Sequence, residues 1–195
     1  MKKLLYAVVF LLTAIFCGCQ TDNTTDVQLN GDGTTITITL PESRTSLGEK
    51  EGTTYPVYWS DGDRIAINGV SSQDVSINAD DRSKATFFID ESVKYPYSIT
   101  YPYTSTTTAS SPKVVVPTVQ NYTEGSFESG STPMCGYLAE HSNRVTLKHL
   151  AGVLRFPVKA SSNGIVLKSV VITSKDGVKL SGEFAVNCSA ATMST

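Results

Sequence analysis

"TTITITL", Thr34 to Leu40, alternates strictly from Thr35 onward. Successive side chains of a strand point to opposite faces, so Ile36, Ile38 and Leu40 fall on one side and the threonines on the other. That is the pattern of a strand with one buried and one wet face. Pro41 ends it, because proline has no N–H for the ladder. The rest of the body has the same texture, rich in Thr, Ser, Val, Ile and Tyr. β-Branched and aromatic side chains suit a pleated, half-buried surface. No window carries apolar residues at i, i+3, i+4 and i+7 for three turns, so almost no helix is expected.

Further strands follow toward the C-terminus. "YPVYWS" (Tyr55 to Ser60) and "RIAIN" (Arg64 to Asn68) flank Asp61-Gly62, a two-residue hairpin signal, and Gly69 closes the second strand. "VSIN" (Val75 to Asn78) and "KATFFI" (Lys84 to Ile89) flank the polar turn "ADDRS". "YSITYPY" (Tyr97 to Tyr103) is extended, with Pro96 and Pro102 expected to confine it to an edge or a bulge. "KVVVP" (Lys113 to Pro117) is short and apolar, and a long irregular stretch follows it. After Pro133 come three longer runs: Val145 to Val158, Ile165 to Ser174 and Lys179 to Val186. Many short strands with regular turn signals predict a β-sandwich. Three strands after residue 143 do not cover two sheets, so the chain is expected to be cut short. A single sandwich using every strand, with a frayed tail, is the other reading.

Toward the N-terminus, Lys2 and Lys3 precede the 13 apolar-rich residues Leu4 to Phe16. As a helix that run is about 20 Å long, too short for a bilayer core of about 30 Å but suited to an export signal. It ends "FCGC", where Gly18 precedes Cys19. This resembles a bacterial lipobox, which implies a lipid on the Cys19 thiol and cleavage just before it. Phe16 and Cys17 stand where Leu and a small residue are more usual. Each buried CH₂ of such an anchor contributes about 0.8 kcal/mol. Residues 19–33 are polar and unpatterned and read as a flexible tether.

Loss of residues 1–18 removes two lysines and takes the net charge from -2 to -4. A nucleic-acid partner, which needs a basic face, is not expected. Cys135 and Cys188 remain in the body. They could pair in an oxidising compartment or stay as partly buried thiols, and no Cys/His spacing signals zinc.

Little in the body points to catalysis. "NGDG" and "SDGD" place carboxylates in turns but do not offer a calcium loop its six or seven oxygens. His141 and His149 are the only histidines. No G-x-S-x-G or nucleotide-binding glycine pattern accompanies them. His149 sits at strand spacing and reads as a packing residue, and "SGS" (Ser129 to Ser131) lies in a loop. No enzyme activity, metal or cofactor is expected. Tyr95, Tyr97, Tyr101 and Tyr103, with Tyr55, Tyr58 and Trp59, could form a platform for sugars or could pack within and along a sheet.

Several stretches together resemble the fimbrillin family of Bacteroidales, subunits of type V pili and their surface-lipoprotein relatives. They are the lipobox-like Cys19, "SRTSLG" (Ser43 to Gly48), "VYWSDGDRIAING" (Val57 to Gly69), "YPYSITYPY" (Tyr95 to Tyr103), "VPTVQNYTEGSF" (Val116 to Phe127), "PMCGYL" (Pro133 to Leu138), "LKHLAGVLRFPV" (Leu147 to Val158) and "LSGEF" (Leu180 to Phe184). The resemblance implies an all-β, transthyretin-like β-sandwich over residues 34–143 and the start of a second, incomplete β-sandwich over 144–195. It also implies a lipid-anchored precursor at the outer membrane and cell surface. An arginine-specific protease would cut it after Arg44, and the segment Thr34 to Leu40 would be replaced by a strand from another pilus subunit. The expected partners are those subunits, the outer membrane through its lipid, and host or bacterial surface ligands. A glycan-binding surface lipoprotein of a polysaccharide-uptake system is the alternative.

Overall fold

The computed structural model describes residues 33–41, 57–123, 126–154 and 158–195. Among these residues there are twelve strands and no helix. The strands are β1 (Thr34–Thr39), β2 (Ala66–Ile67), β3 (Val70–Ser71), β4 (Ser76–Ile77), β5 (Lys84–Ile89), β6 (Tyr97–Tyr101), β7 (Lys113–Val116), β8 (Met134–Leu138), β9 (Arg144–Thr146), β10 (Lys148–His149), β11 (Gly182–Asn187) and β12 (Thr192–Ser194). They form three sheets in the orders β4-β5-β1-β9, β10-β8-β6-β2-β3 and β12-β11-β7. The chain is therefore all-β, and its sheets are consistent with a β-sandwich.

Alternation builds the layers. Ile36 and Ile38 of β1 and Ala85, Phe87 and Ile89 of β5 point from the four-stranded sheet into the main core. Ile67, Tyr97, Ile99, Tyr101 and Met134 meet them from the five-stranded sheet. The residues between these on the second sheet face the other way. Cys135 joins Val114, Phe184, Val186 and Cys188 in a smaller core under the three-stranded sheet.

Several elements differ from the sequence reading. Asp61-Gly62 makes no hairpin. The Trp59 amide donates to Arg82 beside the first sheet, whereas the Tyr103 amide donates to Arg64 in the second. The turn is thus a corner between sheets. The hairpin forms at Asn68-Gly69, with φ of 50° and 87°, between the pairs Ile67–Val70 and Ala66–Ser71. Two positive φ values in a two-residue loop match the twist of the flanking strands. The Asn68 side chain fixes the loop by donating to the Lys94 and Pro96 carbonyls and accepting from the Ser98 amide.

β6 is central, between β8 and β2. Pro96 and Pro102 lie just outside the paired residues and remove no bond from the ladder. The run from Val145 is broken after Thr146: β9 pairs with β1 in the first sheet, and β10 with β8 in the second. Leu147 sits between them with its side chain fully buried. The stretch Ile165 to Ser174 forms no strand and exposes its apolar side chains, Val166 at 84%. No strand of the three sheets pairs with it, and a strand without a neighbour leaves its N–H and C=O groups without ladder partners. Sheet pairing also runs across residue 143, because β9, β10 and β11 join β1, β8 and β7.

Candidate functional site

The candidate site is the position occupied by β1. This strand lies inside its sheet, antiparallel to β5 on one side and parallel to β9 on the other. Six residue pairs run along β5, from Thr34–Ile89 to Thr39–Lys84, and three along β9, from Thr37–Arg144 to Thr39–Thr146. The Thr37 amide donates to the Asn143 carbonyl at 2.7 Å and the Leu147 amide to the Thr39 carbonyl at 3.1 Å. At the exit, the Leu40 amide donates to Ser83 at 2.8 Å. At the entry, Thr34 Oγ1 donates to the Glu91 carbonyl and accepts from the Val93 amide, both at 3.0 Å.

The inward side chains explain why these residues sit here. Ile36 and Ile38 are fully buried, and Leu40 nearly so. Each such side chain contributes roughly 1.5–3 kcal/mol by leaving water. Without β1 the sheet would have a slot between β5 and β9, with two lines of backbone groups and three empty apolar pockets. That is the chemistry that captures an extended peptide.

Cys19 and Arg44, the expected lipid-attachment and cleavage sites, lie outside the described residues. The expected first strand is present, with its paired residues ending at Thr39. Position 44 follows the end of that strand by five residues in the chain.

Among the described residues, several of these aromatics pack inside the core. Trp59 is 0% exposed and packs edge-to-face on Phe87 at 4.9 Å and on Tyr101 at 5.3 Å. Tyr97 and Tyr101 are buried as well, and Tyr55 lies outside the described residues. Tyr95 stacks on Tyr97 at 3.9 Å and touches the His141 ring at 5.0 Å. Its hydroxyl donates to the Ser142 carbonyl at 2.6 Å. These rings join β6 to the loop before β9.

The polar residues of the turns serve the fold. Asp63 is buried, and its Oδ1 accepts from the Tyr101 and Ser129 hydroxyls at 2.8 Å each. Its Oδ2 accepts from the Ser60 amide at 2.8 Å. Burial, and then the charge of Asp63, push the Tyr101 hydroxyl well above the usual tyrosine range. Ser131 donates to the Glu128 carbonyl at 2.6 Å. His149 is half-buried. Among the described residues, no group of three or more His, Cys, Asp or Glu could hold a metal ion.

Two features escaped sequence reasoning. Asn143 and β9 flank β1, and a parallel partner more than a hundred residues away leaves no local signal. Gly136 faces the same core, where an added Cβ would lie 2.8 Å from Leu147 Cδ2 and 3.1 Å from Val145 Cγ2.

No protein-family model matches the chain, and comparisons with curated proteins and with solved structures gave no significant match.

Proposed function

We propose that this chain is a cell-surface lipoprotein that acts as a fimbrial subunit or fimbrillin-like adhesin, joined to its neighbours by β-strand addition in the place of β1. In this reading the facing sheets have transthyretin-like topology, and Cys19 carries the lipid that holds the precursor on the outer membrane. The start of a second, incomplete sandwich spans 144–195, and its apolar residues between 158 and 180 face outward. Partners are other subunits, which supply the incoming strand. The role is structural and adhesive rather than catalytic.

One observation carries the proposal. The first strand among the described residues is an internal strand whose inner face buries Ile36, Ile38 and Leu40, and it precedes the only arginine before residue 64. A cut after Arg44 would separate β1 from everything that holds it except its own ladder and pockets. The replacement strand needs only extended backbone and apolar residues at every second position.

Digestion with an arginine-specific protease tests this. The expected result is a cut after Arg44 followed by oligomer ladders that withstand mild detergent, with neither in Arg44→Ala. A cut after Arg44 that leaves only monomer, or ladders that persist in Arg44→Ala, would overturn it. The anchor is tested separately. Labelling of growing cells with a fatty-acid analogue should mark the protein and fail in Cys19→Ala, and a label that survives the substitution would refute the site.

A further inference from the structure

Cys135 and Cys188 meet in the smaller core. Cys135 is the second residue of β8, and Cys188 directly follows β11. Both are free thiols, 0% and 6% exposed. Cys135 Sγ donates to the Cys188 carbonyl at 3.9 Å, and Cys188 Sγ donates to the Ile99 carbonyl at 3.6 Å. In the β6–β8 ladder, Ile99 is opposite Gly136 and Thr100 opposite Cys135. Both sulfurs therefore lie over the same two rungs, although their residues are 53 positions apart. Val114, Phe184 and Val186 enclose them.

We infer that Cys135 and Cys188 are a dithiol that closes as a disulfide in an oxidising compartment and fastens the three-stranded sheet to β8. The inference goes beyond strand addition and concerns a different face of the second sheet.

The surroundings of the two sulfurs differ. A hydrogen bond from Cys188 holds the Cys135 thiol below its ordinary range despite burial, and the Lys148 ammonium adds to this. Lys148 is the rung partner of Cys135 across β10. The same hydrogen bond, followed by burial, pushes Cys188 up. The thiolate is the attacking species in exchange, and in the folding chain either cysteine can begin, Cys135 for example. Its sulfur bonds to one sulfur of an external disulfide, RSSR, and the other leaves as RS⁻. Cys188 then gives up its proton and attacks Cys135 Sγ, expelling the second RS⁻. Two electrons pass from the protein to the external disulfide, and the two thiol protons end on two RSH. The oxidant is a small-molecule disulfide or a protein disulfide donor. Burial places this exchange in the folding chain, before the third sheet docks.

The full chain, reduced and unfolded, can be refolded in reduced and oxidised glutathione. Free thiols are then tagged in denaturant and the digest is mapped by mass spectrometry. The expected result is a peptide pair linked through Cys135 and Cys188. The unfolding midpoint should rise by roughly 5–10 °C over the same protein held in reductant. Cys188→Ala, a change at the rim of the core, should show the same midpoint with and without oxidant. A map in which both thiols stay taggable, or pair only with other cysteines, would overturn the inference. So would an oxidant-dependent midpoint that persists in Cys188→Ala. Either failure leaves the β1 slot and its arginine test untouched.

Discussion

Gly136 lacks a side chain because its neighbours fill the space. A methyl there would meet Leu147 Cδ2 at 2.8 Å, and Leu147 is fully buried with little room to withdraw. Gly136→Ala should cost about 1–3 kcal/mol, as overpacking does, measured by urea unfolding; an unchanged midpoint would show that Leu147 can move aside. Tyr101 supports a pH prediction. Burial raises its folded value above the ordinary 10.0. The neutral hydroxyl is thus favoured in the fold, and this stability is complete below about pH 10 and lost as the pH rises above it. Alkaline unfolding should therefore begin near pH 10. Tyr101→Phe should be less stable at neutral pH, by about 1–3 kcal/mol for the hydrogen bond lost to the buried Asp63 carboxylate, but flatter above pH 10. A parallel alkaline curve in the variant would refute the assignment.

At the scale of elements, β1 was legible because Thr35 to Leu40 alternate without a break. Its neighbours were not, because the pairing with β9 depends on contacts far along the chain. The hairpin shows the same limit: it was expected at Asp61-Gly62 and forms at Asn68-Gly69. Asn68-Gly69 forms its turn with two positive φ values, and the Asn68 side chain ties that turn to Lys94, Pro96 and Ser98. Asp61-Gly62 has similar chemistry, but the adjacent Asp63 is tied to Tyr101 and Ser129 from distant segments. Those bonds turn the chain into a corner. β6 was misplaced at an edge because prolines flank it, whereas only a proline inside the paired residues removes a bond. The apolar, β-branched composition of 165–174 suggested a strand but could not supply a partner for it. The slot model has its own element-scale consequence. Ile38→Ala should cost about 2–5 kcal/mol in the intact chain, read by urea unfolding. After a cut that releases β1, the same substitution should have almost no effect on what remains. Equal costs before and after the cut would contradict a separable strand.

For the whole molecule, three layers share the second sheet, which packs the main core on one face and the cysteine core on the other. Under the proposed reading, one face packs against the sheet that contains the exchangeable strand, and the other carries the Cys135–Cys188 dithiol. The all-β class followed from composition and alternation, but the layering did not, because it depends on which faces find each other. The expected break at residue 143 followed a change of texture, and the ladders run through that point. Amide hydrogen exchange on β5 and β9 is the most direct test of the β1 slot. The chain is cut after Arg44, the released segment is removed, and a peptide of residues 33–41 is added back. The account predicts that β5 and β9 lose protection on removal and regain it with the peptide. Protection that survives removal, or that the peptide fails to restore, would contradict it.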